Sequence, residues 1–126
     1  MGLAYADVTL TNMFSRKKLD VRALVDTGAV HMCVTQAQAR QLGFDLEECV
    51  TQLMTLADGR QIAAPKIRPV EIAFGDRSYA TEALVLGDEA LMGVLPLDAM
   101  DLVIDPRGQK VTVNPEHPNY PVTLAK

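Results

Sequence analysis

The sequence predicts an all-β domain with one or two short helices. Two observations lead there. Short apolar runs recur along the chain, each bounded by turn-forming residues, with no long helical pattern between them. The length, 126 residues, is that of one ordinary domain, and no linker, repeat or low-complexity tract divides it. The domain is expected to span 1–126, with 114–126 as a proline-rich C-terminal arm.

Each element follows from local chemistry. From Tyr5 to Thr11 the chain sets Tyr5, Asp7 and Thr9 against Ala6, Val8 and Leu10, a period of two that marks a strand. Asn12 to Lys18 reads as a loop. Leu19 to Val25 starts as an alternating strand and turns wholly apolar at its end, so it is expected to enter the core and deliver Asp26 there. Val30 to Val34 is a further strand. Thr35 with Gln38 three residues on forms a capping box, and Gly43 ends a helix over about Gln36 to Leu42 that buries Ala37, Ala39 and Leu42. Thr51 to Leu56 and Arg60 to Ala64 flank Asp58-Gly59, a dipeptide suited to a tight hairpin turn. Ile67 to Phe74 and Tyr79 to Leu86 form a second pair around Gly75-Asp76. Pro96 is placed to open a short helix reaching Met100, since proline fits the first helical position. Leu102 to Ile104 and Lys110 to Val113 flank the turn Asp105-Pro106-Arg107-Gly108. Three prolines between Asn114 and Pro121 favour an extended arm.

Composition excludes several function classes. Hydrophobic residues make up 48% and charged residues 22%, the profile of a folded globular protein. Aromatics reach only 5% with no Trp, so the core is aliphatic, and Met92 and Met100 read as core fillers. The net charge is -4, and the densest basic run, Arg16-Lys17-Lys18, reads as a solvated loop. No basic stripe is available for a phosphate backbone, so no nucleic-acid partner is expected. No apolar stretch is long enough for a membrane helix. The N-terminus has neither a basic start nor a long apolar run, so no secretory leader is expected. Cys33 and Cys49 are then expected to remain reduced in a cytoplasm, with Cys33 a small core residue. His31 and His117 have no metal-ligand spacing with either cysteine, so no metal and no cofactor is expected. His31 reads as a surface turn residue, with a substrate or interface contact as the other possibility. No phosphate-binding loop, dinucleotide fingerprint or serine nucleophile elbow is present.

The residues that ask for chemistry are Val25-Asp26-Thr27-Gly28-Ala29. A carboxylate placed straight after an apolar strand is costly to desolvate unless something holds it. Gly28 permits a sharp turn and close backbone approach, and Thr27 supplies a small hydroxyl. Taken alone, the tripeptide is better accounted for by a strand-end turn in which Asp26 bonds its own backbone.

The wider pattern resembles the retroviral-type, single-lobe aspartic proteases and especially their bacterial relatives. The resemblance runs from Ala23-Leu24-Val25-Asp26-Thr27-Gly28-Ala29 through Cys33-Val34 and Thr35 at a helix start. It continues through the Leu56-Ala57-Asp58-Gly59 hairpin, similar to the flap over substrate, and Ala90-Leu91-Met92-Gly93, similar to the apolar-apolar-Gly element beside the active site. It covers about Tyr5 to Val113. It implies a retropepsin-like closed barrel and an aspartic endopeptidase in which two aspartates share one proton across a water. This chain has one Asp-Thr-Gly, so the resemblance implies a homodimer with Asp26 from each chain on the two-fold axis. It further implies that Thr27 and Gly28 shape the catalytic loop, and that Ala29, Leu56, Ala57, Asp58 and Gly59 contact a polypeptide substrate. Ala4 to Leu10 and the proline-rich tail are the candidates for interleaved termini.

Two positions depart from the viral pattern. Val30 and Val94 stand where viral relatives often carry an acidic residue and an arginine, so an apolar contact is expected in place of an ion pair. The flap tip is also less glycine-rich. Two other functions compete. One is a non-catalytic dimerisation or peptide-binding module of the same fold. The other is phosphoryl transfer from an aspartate, which is disfavoured because the lysine between Asp and Thr in that motif is absent.

Overall fold

Alternating strands close on themselves into a barrel. A computed structural model describes residues 3–107 and 109–123. Its elements are β1 (Ala4–Asn12), β2 (Lys18–Val25), β3 (Met32–Val34), α1 (Gln36–Gln41), β4 (Val50–Thr55), β5 (Gln61–Phe74), β6 (Arg77–Val85), β7 (Leu91–Met92), α2 (Val94–Met100), β8 (Leu102–Asp105) and β9 (Lys110–Val113). The strands lie in the order β4-β5-β6-β3-β7-β2-β1-β9-β8, and a further pairing of β1 with β5 closes six of them into a ring. Closure removes the open edges of those six strands where they pair. The β4 strand hangs from β5 outside the ring, and the β8–β9 hairpin hangs from β1. Among the described residues, no helix is long and apolar enough to cross a membrane.

The period-two pattern sets the core. On β1 it turns Ala4, Ala6, Val8 and Leu10 inward, and Ile67, Val70 and Ile72 of β5 join them. Ile67 and Val70 are three residues apart, which strict alternation would send to opposite faces. A register shift between them absorbs the extra residue and returns both to the core. One strand runs through Pro65, in register with Thr51 of β4, and through Pro69, inside the irregularity, where two strands are expected from sequence. Met32, Met92 and Met100 are fully buried, as fillers of an aliphatic interior.

The helices show where local signals suffice. Thr35 accepts from the Gln38 amide and the Gln38 side chain accepts from the Thr35 amide, completing the capping box of α1. Ala39 and Leu42 are buried, while Ala37 is exposed, contrary to expectation. Buried Asn12 donates to the Leu42 carbonyl at 2.9 Å, tying the end of β1 to the C-terminus of α1. The second helix begins at Val94, two residues before Pro96, for a tertiary reason given below.

The C-terminal segment is strapped to the body. Arg77, only 2% exposed, donates to the carbonyls of Met100 and His117. Asp101, the left-handed cap of α2, accepts from Asn114 Nδ2 at 3.1 Å and the Val122 amide at 3.0 Å, and lies 2.6 Å from His117 Nδ1. Met1, Gly2, Gly108 of the expected 105–108 turn, and 124–126 of the expected arm lie outside the described residues. Ala4 to Leu10, a candidate for interleaving, is paired along its length with β2.

Partial burial pushes the Asp101 carboxyl upward, but the bonds from Asn114, the Val122 amide and His117 outweigh it and hold it below the ordinary carboxylate range. A carboxylate lowered on folding stabilises above its unfolded pKa, and that contribution is lost as pH falls through the folded value. Thermal melts of the wild type and Asp101→Asn should therefore differ at neutral pH, begin to approach each other as pH falls below about 4, and meet only below the lowered folded value. A difference that stays constant down to strongly acid pH would show that the charge contributes nothing.

Candidate active site

Asp26 leaves β2 where the backbone is gripped from the other side of the barrel. Leu24 and Val25 pair in parallel with Leu91 and Met92. Past the strand, the Asp26 amide donates to Met92 O at 3.1 Å, and the amides of Gly93, Val94 and Leu95 donate to the carbonyls of His31, Ala29 and Val30 at 3.1, 2.9 and 3.0 Å. These bonds clamp residues 26–31 against 92–95. They also explain α2. Its first turn has no side-chain cap, because the donors that a helix start leaves unpaired are taken up by carbonyls of the Asp26 loop, and Pro96 at the third position has no donor to satisfy.

The grip requires a missing side chain. A Cβ on Gly93 would lie 2.6 Å from the Val30 carbonyl carbon and 2.7 Å from His31 O. Its φ of -86° is open to any residue, so the demand is for space. Within the loop, the Gly28 amide donates to Asp26 Oδ1 at 2.9 Å and the Ala29 amide to Asp26 O at 3.1 Å. The carboxylate is thereby fixed by its own turn, as the simpler reading of the tripeptide expects.

Burial differs from expectation at the strand end. Ala23 is buried, but Leu24 and Val25 are half-buried and Asp26, Thr27 and Gly28 are exposed, so the single chain does not desolvate the carboxylate. Ala29 is half-buried. Val30 is 50% exposed and Leu95 43%, leaving apolar surface beside Asp26. Among the described residues, the Thr27 hydroxyl makes no hydrogen bond.

The second group of candidates sits at the tip of the β4–β5 hairpin. Leu56 pairs with Arg60, and the Gly59 amide donates to Leu56 O at 2.9 Å, with Gly59 at φ +88°. The turn is one residue longer than a two-residue Asp-Gly hairpin, because Ala57 and Asp58 form its corners and Gly59 takes the left-handed position. Asp58 accepts from the amide and Nε of Arg60 at 3.0 and 2.7 Å, which hold its carboxyl below the usual range. Among the described residues, no hydrogen bond or ion pair joins Leu56, Ala57, Asp58 or Gly59 to the Asp26 loop.

A cavity of about 140 Å³ adjoins that loop, lined by His31, Gln52, Lys66, Thr81, Glu82, Leu84 and Leu95. Five of these residues lie on β4, β5 and β6, and no sequence signal groups them. The larger groove, of about 710 Å³, is lined by residues such as Tyr5, Asp7, Arg22 and Lys110 and contains none of the 26–31 loop. Among the described residues, no group of three or more His, Cys, Asp or Glu is arranged to hold a metal ion. Burial pushes the Cys33 thiol up, and burial with the Asp45 charge pushes Cys49 up, so neither is activated as a thiolate.

The sequence profile described as aspartyl protease matches residues 8–112. The chain belongs to the aspartyl protease family. Among solved structures, the family fold is matched by a retropepsin-like aspartic protease from Rickettsia conorii, with TM-score 0.62 and 23% identity over 82% of this chain and 77% of the other. The retroviral protease-like domain of Ddi1 from Leishmania major matches with TM-score 0.62 and 17% identity over 91% and 90%. The fold of this aspartyl protease family member is therefore retropepsin-like. No curated protein matches the sequence.

Gly93→Ala should force the clamp apart and destabilise the protein by about 2–3 kcal/mol, as overpacking against backbone does. Urea unfolding measures this, and a loss under about 0.5 kcal/mol, the range of ordinary surface substitutions, would show that the two segments separate freely.

Proposed function

We propose that this protein is an aspartic endopeptidase whose active site forms on the two-fold axis of a homodimer, with one Asp26 from each chain. The observation that carries this reading is the Asp26-Thr27-Gly28 turn, gripped by the Gly93 segment and open to solvent, within a chain matched to the aspartyl protease family over residues 8–112. A second copy supplies the second carboxylate. It would also cover the exposed Val30 and Leu95. Thr27, with a free hydroxyl in the single chain, would bond across the axis.

Two carboxylates a few ångströms apart cannot both ionise cheaply, so the pair shares one proton and titrates as a unit. The ionised member takes a proton from water, whose oxygen attacks the peptide carbonyl carbon. The protonated member donates to the carbonyl oxygen. The tetrahedral diol then collapses, the C–N bond breaks, and the amine nitrogen leaves with a proton from the dyad. Ala29 and the 56–59 hairpin tip would hold the peptide backbone. We further propose a cytoplasmic setting, on the two free cysteines Cys33 and Cys49.

Purified protein should cleave unstructured polypeptides with a bell-shaped pH profile, and Asp26→Asn should lower the rate by about 10³-fold or more. Cleavage surviving in that variant would refute the assignment. Peptides that bind at every pH without turnover would instead favour a non-catalytic module of the same fold. Sedimentation measures the dimer directly.

A further inference from the structure

The cavity beside the Asp26 loop combines three sources of wall. His31 and Leu95 come from the two halves of the clamp. Gln52 and Lys66 come from the two strands of the hairpin that carries the 56–59 tip, and Thr81, Glu82 and Leu84 come from β6. It therefore lies between the catalytic loop and the base of the covering hairpin, where a side chain of a bound peptide would descend. At about 140 Å³ it holds the equivalent of about four or five waters. That is room for one short side chain and not for a second strand.

Its lining carries one lysine and one glutamate, and Arg68, outside the lining, adds a second cation to the cluster. Glu82 is the one acidic group among the lining residues, and both its oxygens are engaged: Oε1 lies 3.5 Å from Lys66 Nζ and Oε2 accepts from Arg68 Nη1 at 2.9 Å. Two cations thus serve one carboxylate. Lys66, with its side chain 19% exposed, also donates to Gln52 Oε1 at 3.0 Å. An ammonium has three donors, so one remains without a protein acceptor.

We infer that this cavity is a side-chain subsite that selects a carboxylate, Asp or Glu, in the bound peptide, with Lys66 as the principal contact and His31 and Thr81 as further donors. The inference rests on the peptide-cleaving reading of the cleft. A substrate lysine or arginine would bring a third cation to a single carboxylate. An apolar side chain would displace water from Lys66 and leave its donor unpaired. An acidic side chain satisfies the donor and balances the net positive charge of the Lys66–Glu82–Arg68 cluster.

The test is a set of peptides identical except for Glu, Gln or Lys, with the varied position moved along the sequence. Cleavage is measured as kcat/KM with wild type, and equilibrium binding by fluorescence anisotropy with Asp26→Asn. At one position Glu should be favoured over Gln by about tenfold or more in both measurements. Lys66→Gln should bring that ratio close to one, and Lys66→Arg, which keeps the charge, should preserve the preference for Glu. Absence of any Glu-favouring position, or a ratio unmoved by Lys66→Gln in a variant with a wild-type melting profile, would overturn the subsite. If proteolysis itself fails, no peptide is cut while binding still ranks Glu above Gln through Lys66. If only the subsite fails, peptides are cut or bound without that ranking.

Discussion

The backbone clamp between residues 26–31 and 92–95 constrains everything around it. Its bonds join segments far apart in sequence, and the close approach is possible because position 93 carries no side chain. On one side the clamp fixes the turn that orients Asp26. On the other it supplies acceptors for the start of α2, which can then begin directly from a two-residue strand without a capping side chain. The short β7 gains its place from being paired on both edges, in parallel with β2 and antiparallel with β3. One glycine thus serves both the Asp26 turn and the helix that packs Leu97 and Met100 into the core.

The same clamp leaves the single chain with a contradiction at its surface. An ionisable group is held in one orientation by the Gly28 amide, yet it is exposed, and Val30 and Leu95 beside it offer apolar side chains to water. The Gly28 bond stabilises its own turn, as the same bond does at Asp45, Asp58 and Asp105. It acquires a further use when a second, identical turn faces it. The proposed dimer resolves both halves of the contradiction at once, covering the apolar flanks and bringing the carboxylates together.

What was legible in the sequence was local. The period of two on Tyr5–Thr11, the Thr35–Gln38 cap and the Asp26-Thr27-Gly28 turn each depend on neighbours within a few residues, and each has its expected form. The wrong start for α2 has a different origin. Pro96 offers a valid local signal, but the helix begins at Val94 because carbonyls of residues 29 and 30 accept its first amides. The fusion of two expected strands into β5 likewise depends on pairing with both β4 and β6 across two prolines. Lys66, Glu82 and Gln52 carried no motif, and Arg77 and Asp101 gave no hint that they would pin the C-terminal segment. Such groupings arise only when the barrel closes.

Closure also decides which surfaces are left for a partner. The β1 strand is paired with β2 along its length and carries β9 at Tyr5 and β5 at Thr9–Asn12 on its other edge, so little of it is free for strand exchange. The segment after β9 is held by Asp101 and Arg77. The proposed interface must then draw heavily on the apolar side chains around the clamp, Val30 and Leu95. An acid–arginine pair at such a place would weaken as its carboxylate protonates, in the very pH range where a proton-sharing aspartate pair titrates. Valine does not titrate. An apolar brace would separate the stability of the proposed dimer from the protonation that the proposed chemistry requires.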